Sequence, residues 1–163
     1  MRLVHLLPIA LCTGSLFACT VPPTAPPPAT PPATVEHGRY LVQISGCNDC
    51  HTEEFMEQGG KVPEAEWLKG SRRGWRNEEG TVYATNLRLL IDTISEEQWV
   101  TMARTLQTRA PMSWYRLRGM SEADLRAIHA FIRWLGPAGA PAPAPLPPEV
   151  DPPEPYIFFP AVH

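Results

Sequence analysis

The sequence predicts a small all-α domain that lies between two proline-rich extensions. The 20 prolines of this 163-residue chain are concentrated near its ends, with seven between Thr20 and Thr34 and nine between Pro137 and Pro155. The segment between them, residues 35–136, contains several stretches with helix caps and helical apolar periodicity. No stretch of this segment shows the alternation of a β-strand over any length. These observations favour one helical domain of about 100 residues, which is small for a hydrophobic core.

The first 18 residues are typical of an export signal. They contain one early charge, Arg2, and an apolar run that Pro8 and Gly14 interrupt, which makes a membrane span unfavourable. The run ends in "SLFAC", which resembles a bacterial lipoprotein box, where the leader is cut before the cysteine and that cysteine carries lipid. We therefore expect residues 1–18 to be a lipoprotein signal peptide and Cys19 to be a lipid anchor. Secretion without an anchor, with Cys19 inside the leader, is the alternative.

Residues 19–34 form a proline-rich linker. Proline lacks an N–H and fixes φ, so the segment "TVPPTAPPPATPPAT" is predicted to be an extended spacer. At ~3.1 Å per residue it would reach about 45 Å, which would hold the domain away from a membrane.

A first helix is predicted in "VEHGRYLVQISGC", and it would deliver Cys47 at its end. Gly38 offers a place for close approach by another helix. The apolar residues that we assign to its inner face are Val35, Tyr40, Leu41 and Ile44.

Residues 56–94 show little periodicity, and we expect a long ordered loop with a short extended piece at 81–85. A helix should begin at Ser95, because Ser95 and Gln98 form a capping-box pattern. The strongest helix is predicted in "SEADLRAIHAFIRWLGP", where Ser121 is the cap and Gly136 with Pro137 ends the helix. Its apolar stripe consists of Leu125, Ile128, Ile132 and Leu135.

The formal charge of −3 is small, and acidic and basic residues are balanced along the domain. Nothing in this balance suggests binding to nucleic acid.

The cysteines that remain in the predicted domain both lie in the motif "GCNDCH". Of the four cysteines, Cys12 and Cys19 belong to the leader or its cleavage site, which leaves Cys47 and Cys50. A thiol redox pair usually follows a strand in an α/β domain, and no such strand is predicted here. A zinc site needs four ligands, but there is no second C-x-x-C.

The third possibility is covalent haem. In C-x-x-C-H the two thiols, here of Cys47 and Cys50, add to the two vinyl groups of haem, and the next residue, His51, can ligate the iron. Asn48 and Asp49 would then be spacers.

A second axial ligand would have to come from the residues downstream. Met56 is too close to His51 to reach the opposite face of a haem, and Met102 falls inside a predicted helix, which favours a place in the core. Met112 lies in an irregular segment after Pro111 and is the predicted ligand, although it could instead fill a gap in the core. The remaining candidates are Met120, which fits a packing role before Ser121, and His129, which lies beside the apolar stripe.

With these motifs the chain resembles a class I c-type cytochrome, and more narrowly the single-haem domains of cytochrome subunits in bacterial periplasmic dehydrogenases. The resemblance spans residues 35–136 and rests on "GRYLVQISGCNDCHT", "GTVYATNL" and "APMSWYRLRGMSEADLRAIHAFIRWLG". It implies an all-α cytochrome c fold around one covalently bound haem c, with residues 137–163 as a proline-rich tail. It also implies that the first helix, with Gly38 and Tyr40, crosses the last helix at Phe131 and Trp134.

The resemblance implies an electron carrier rather than an enzyme, with no catalytic residues. His51 and Met112 would be the axial iron ligands. The protein would pass electrons on the periplasmic side of a bacterial membrane, from a dehydrogenase to an oxidase or another cytochrome. Two alternatives remain, namely a haem subunit fixed in a dehydrogenase complex and a five-coordinate haem protein that binds a small ligand.

Overall fold

The computed structural model describes residues 30–159. The predicted signal peptide, Cys19 and nearly all of the proline-rich linker lie outside these residues. Within the described part there are six α-helices, namely α1 (Ala33–Ile44), α2 (Cys47–His51), α3 (Leu87–Thr93), α4 (Glu96–Thr105), α5 (Trp114–Gly119) and α6 (Glu122–Leu135). There are also three strands, β1 (Gly74–Asn77), β2 (Gly80–Tyr83) and β3 (Tyr156–Phe158).

The predicted all-α fold class is wrong, because the three strands form a mixed sheet in the order β2-β1-β3. Strands β1 and β2 are antiparallel, with Trp75 opposite Val82, and β3 runs parallel to β1. The fold of residues 30–159 is therefore mixed, with six α-helices and a small three-stranded sheet. The physical reason is that two four-residue strands pair as a hairpin within residues 56–94, and the proline-rich C-terminal tail supplies the third strand.

The hairpin between β1 and β2 is stabilised at its turn by side-chain and glycine effects. The Asn77 side chain accepts a hydrogen bond from the Glu79 N–H at 2.9 Å, which is the pattern of an Asx turn. Gly80 follows with φ at 114°, a conformation that favours glycine. A Cβ at Gly80 would also collide with the carbonyl of Leu146.

Helices α1 and α6 cross closely at Gly38, as the sequence predicts. A Cβ at Gly38 would lie 2.8 Å from the Cβ of Phe131 and would collide with the carbonyl of Ala127, so a glycine is required there. Phe131 is fully buried at the crossing. Tyr40 and Trp134, which were expected to fill the same contact, are 56% and 43% exposed, so that part of the prediction is wrong.

The inner face of α1 also differs from the predicted one. Val35, Gly38 and Val42 are the buried residues of the helix, whereas Ile44 is 60% exposed. The buried residues of α1 are spaced by three and four positions, which is the expected helical periodicity. The buried face of the helix is nevertheless rotated relative to the predicted face.

Both predicted N-caps are confirmed. Ser95 and Gln98 form a reciprocal capping box at the start of α4. The Ser121 side chain accepts a hydrogen bond from the Asp124 N–H, and α6 ends at Gly136, whose φ is 68°.

Residues 56–94 contain more regular structure than expected, since β1, β2 and α3 all lie there. Arg88 of α3 is a buried cation that the sequence analysis missed. Its guanidinium donates to the carbonyls of Leu135 and Gly136 at the end of α6 and to that of Ala65 at 2.8 Å. Cations are favoured at helix C-termini, so Arg88 joins α3 to α6.

The tail packs along the hairpin through its backbone. Thr81 and Leu146 exchange two hydrogen bonds, with N–O distances of 2.8 and 2.9 Å. Arg76 donates to the carbonyls of Pro148 and Val150. The Asn86 amide donates to the carbonyls of Ala138 and Ala140. These contacts place residues 137–159 beside β1 and β2.

Among residues 30–159, no helix is both long enough and apolar enough to cross a membrane.

Candidate functional site

The C-x-x-C-H motif forms the short helix α2, and its chemistry-bearing residues share one face. The helix begins after Gly46, whose φ of 71° turns the chain sharply from α1 into α2. Cys47, Cys50 and His51 are separated by three and four positions, so they lie on the same side of the helix. All three border a single cavity.

The opposite side of α2 is anchored by a buried polar network. Asn48 is 1% exposed, and its Oδ1 accepts a hydrogen bond from the Thr52 hydroxyl at 2.8 Å. The same hydroxyl oxygen accepts one from the Leu68 N–H, also at 2.8 Å. Asn48 is therefore more than the spacer that the sequence analysis took it for, because it fixes the helix that carries both thiols.

The His51 ring is oriented by a hydrogen bond from Nδ1–H to the carbonyl oxygen of Thr85, at 2.7 Å. A carbonyl can only accept, so Nδ1 carries the proton and Nε2 keeps its lone pair in the neutral ring. Burial lowers the pKa of His51, and the bond to Thr85 opposes this to a smaller extent. The arrangement matches that of a metal-binding imidazole, whose second nitrogen donates to an oxygen and thereby fixes the ring.

The cavity beside α2 has a volume of about 300 Å³, which reaches the lower end of the ~300–1,000 Å³ typical of ligand sites. Its wall is mostly apolar. The helical contribution includes Val42, Trp99, Ile128 and Ile132, and the hairpin contributes Trp75 and Val82. Such a lining suits a large apolar group and excludes water from it.

Two methionines line the cavity. Met112 lies in the irregular segment between α4 and α5, as predicted, and it borders the cavity together with Pro111. Met102 on α4 borders it as well, although the sequence favoured a place for Met102 in the core. The cavity thus contains two thioethers and the unprotonated nitrogen of one imidazole.

The other candidate ligands do not border this cavity. Met56 is 44% exposed, and Met120 is half-buried against the core. His129 is 8% exposed on α6, where its Nδ1 lies 4.0 Å from Glu96. Trp114 and Tyr115, which follow Met112 closely in the sequence, pack edge-to-face with each other outside the cavity lining.

Among residues 30–159, Arg109 is the only permanently charged residue that borders the cavity. Its Nη1 donates to the carbonyl of Glu79 at 2.8 Å and lies 3.7 Å from that residue's carboxylate. A guanidinium at the edge of an apolar cavity is suited to an anionic group, such as a carboxylate, on the bound molecule.

Both thiols are held in the protonated form. Burial raises the pKa of Cys47 to about 11, and burial together with Asp49 raises that of Cys50. Thiols that act as nucleophiles or redox switches usually have a lowered pKa, so these shifts disfavour the thiol-switch alternative. Cys47 and Cys50 are free thiols in the structure.

The zinc alternative finds no support in the described residues. Within residues 30–159, no three His, Cys, Asp or Glu side chains come together in a way that could hold a metal ion. A protein zinc site of the usual kind needs three or four such ligands. A haem iron needs only axial ligands from the chain, because the macrocycle supplies the other four.

Several residues of the site were not found from the sequence. Thr85 and Thr52 act through contacts with α2, while Met102 and Arg109 reach the cavity from α4 and the segment after it. Their only sequence signal was position, since Thr85 lies in "GTVYATNL" and Arg109 lies three residues before Met112.

Comparison of the chain with protein-family models, with curated proteins and with solved structures finds no match.

Proposed function

We propose that this protein is a single-haem c-type cytochrome that carries electrons and has no catalytic activity of its own. The observation that carries the proposal is the common face of α2, where Cys47, Cys50 and His51 all border one apolar cavity. The three side chains that covalent haem attachment requires are thus presented together, to a space that can exclude water.

The residues of the cavity fit a haem in three respects. The protonated thiols of Cys47 and Cys50 are positioned to form thioethers with two vinyl groups, and the thiol hydrogens would be added to the vinyl carbons. His51 offers Nε2 to the iron, held by its bond to Thr85. Arg109 offers a guanidinium to the carboxylates of the haem periphery.

Met112 is the proposed second axial ligand. It borders the same cavity as His51, and it lies on a segment that no helix constrains. When bound, haem supplies a one-electron couple, and a thioether ligand raises its reduction potential. If His51 and Met112 both held the iron, the chain would leave no iron position open for a substrate, which favours electron transfer over ligand binding.

The presence of Met102 in the same cavity defines a rival assignment. Met102 is on α4, between Trp99 and Leu106, which also border the cavity. A helix fixes the direction of a side chain more strongly than a loop does, so Met102 is also a candidate ligand. Separate replacement of the two methionines distinguishes them.

The location and partners follow from the same proposal. Residues 1–18 would export the chain, Cys19 would anchor it to the periplasmic side of a bacterial membrane, and a dehydrogenase would supply electrons for an oxidase or another cytochrome. If the chain is instead a fixed subunit of a dehydrogenase, purification from membranes should yield it in a constant ratio to that enzyme. A five-coordinate haem protein would bind carbon monoxide in its native state.

The experiment that tests the proposal is expression with the bacterial cytochrome maturation machinery. We expect one haem per chain that acid–organic extraction does not remove, as measured by mass spectrometry and by the absorbance of the denatured protein. Cys47→Ala and Cys50→Ala should each lower the yield of bound haem sharply. Met56→Ala, at an exposed residue outside the cavity, is the matched control and should leave the yield unchanged. An unmodified chain after maturation would refute the proposal.

A further inference from the structure

The charged residues between Glu97 and Glu122 are not distributed like those of the rest of the chain. Between Glu97 and Glu122 every charged residue is an arginine, whereas the whole chain carries a formal charge of −3. The four residues are Arg104, Arg109, Arg116 and Arg118. We call residues 98–121 the arginine segment.

The arginine segment is poorly neutralised. Arg104, Arg116 and Arg118 are exposed. Within residues 30–159, neither Arg116 nor Arg118 has a carboxylate within 4.0 Å, and the nearest carboxylate of Arg104 is that of Glu122 at 3.9 Å. By contrast, Arg126 on α6 pairs with three glutamates. Arg109 lies 3.7 Å from the Glu79 carboxylate, so the charge that is available to a partner is chiefly that of Arg116 and Arg118.

The exposed guanidinium of Arg118 is also held in place. It lies 5.2 Å from the centre of the Trp114 ring, and its Nε donates to the carbonyl of Arg104 at 3.0 Å. Tyr115 beside it is 59% exposed. A held arginine next to exposed aromatic surface is the composition found in the energetically important centres of protein interfaces.

The arginine segment is at the same time a wall of the cavity. Met102, Leu106, Arg109, Met112 and Leu117 all belong to it and border the cavity. A partner that binds this segment would therefore lie next to the cavity, and electron transfer needs such proximity.

We infer that the arginine segment is a docking surface for an acidic redox protein. The inference rests on the proposed function. A lipid surface or a nucleic acid could neutralise the arginines, but neither could exchange an electron with a haem in the cavity. Guanidinium groups bind carboxylates through two parallel hydrogen bonds, so a partner that presents Asp and Glu is the complement. Complementary charge chiefly increases the association rate and selects the partner.

The salt dependence of an electron-transfer rate constant tests whether the local positive charge of the arginine segment or the net negative charge of the chain dominates. The two charges predict opposite signs for this dependence. One electron passes from the reduced holoprotein to hexacyanoferrate(III), which becomes hexacyanoferrate(II). The net charge of −3 alone predicts repulsion of this anion and a rate constant that rises with salt. The arginine segment predicts attraction. We expect the rate constant to fall about threefold as ionic strength rises from about 0.01 to 0.1 M, since the Debye length shrinks from about 30 to 10 Å.

The cationic reagent hexaammineruthenium(II), which gives one electron to the oxidised holoprotein, should show the opposite dependence. Arg116→Gln with Arg118→Gln should abolish or reverse both slopes. Lys61→Gln with Arg133→Gln removes the same charge from exposed positions outside the segment, and this control should behave like the wild type. A hexacyanoferrate rate that rises with salt in the wild type, or equal slopes in the two double variants, would overturn the inference.

A binding measurement tests the charge of the arginine segment without requiring a bound haem. At low salt, calorimetry should detect binding of poly-glutamate to the wild type and to the control, with at least about fivefold weaker binding to the variant at Arg116 and Arg118. Binding to phosphatidylglycerol vesicles without binding to poly-glutamate would assign the surface to lipid and overturn the inference. A chain without haem that still binds poly-glutamate through these arginines would refute the proposed function and leave the acidic docking surface standing.

Discussion

The cavity has two walls that are built in different ways. The helical wall, to which helices α1 to α6 all contribute, rests on side chains that are almost completely buried, such as Val42, Ile128 and Phe131. The sheet wall is the β1–β2 hairpin, which is paired in turn with the tail of residues 137–159. Its cavity-facing residues Trp75 and Val82 are only half-buried.

The two walls therefore depend on different forces. Apolar burial, at ~25 cal/mol per Å², stabilises the helical wall. The sheet wall depends on backbone hydrogen bonds between the hairpin and the tail, and each such bond contributes about 1 kcal/mol net. We expect the helical wall to set the stability of the domain, and the sheet wall to be the part that opens first.

The largest expected effect concerns the helical wall. Phe131→Ala removes a fully buried ring from the α1–α6 crossing and should lower the free energy of unfolding by about 3–5 kcal/mol. Tyr40→Ala, on the exposed side of α1, should change it by less than about 0.5 kcal/mol. Chemical denaturation of the three proteins tests this, and equal losses would contradict the assignment of the crossing.

A smaller effect is expected at the junction of the two walls. The Asn86 Oδ1 caps α3 by accepting from the Leu89 N–H, and its Nδ2 donates to the carbonyls of Ala138 and Ala140. Asn86→Ala removes both roles and should cost about 2–3 kcal/mol.

Asn86→Asp separates the two roles, because a carboxylate still caps the helix but cannot donate to the tail. Its unfolding free energy should fall between those of the wild type and Asn86→Ala. Limited proteolysis should cut its tail faster than that of the wild type. An unchanged cleavage rate would show that Asn86 does not hold the tail.

The smallest effect should be confined to the sheet wall. Gly80→Ala places a Cβ against the carbonyl of Leu146 at a φ of 114°, with an expected cost of about 1–2 kcal/mol. Hydrogen exchange should accelerate at the amides of β1 and β2 and remain unchanged in α6. Uniform acceleration would mean that the two walls unfold as one unit.

The same contrast explains what the sequence could predict about the fold. The helices of the helical wall could be predicted from local sequence signals, namely the caps at Ser95 and Ser121 and the apolar stripe of α6. The hairpin does not, because each strand has only four residues and the turn between them, Glu78–Glu79, lacks the usual Asn-Gly or Asp-Gly pair. Its third strand comes from a segment rich in proline, a residue that normally argues against a strand.

For the site, the sequence motif located Cys47, Cys50 and His51, and the loop position located Met112. Neither the motif nor the loop position identified the residues that act through contacts between distant parts of the chain. Thr85 meets His51 only because the chain folds back over 34 positions, and Met102 borders the cavity only because of how α4 is rotated. Such contacts depend on tertiary packing, which periodicity does not encode.

The most direct test of the central claim is the ligation of the iron in Met112→Ala. The ferric wild type should show the weak far-red band of sulfur ligation and should not bind cyanide readily. Met112→Ala should lose this band, bind cyanide and have a lower reduction potential, while Met102→Ala should retain all three wild-type properties. If Met102→Ala loses the band and Met112→Ala keeps it, Met102 is the ligand. If neither variant changes the spectrum or the potential, the account of a closed electron-transfer haem between His51 and a cavity methionine is contradicted.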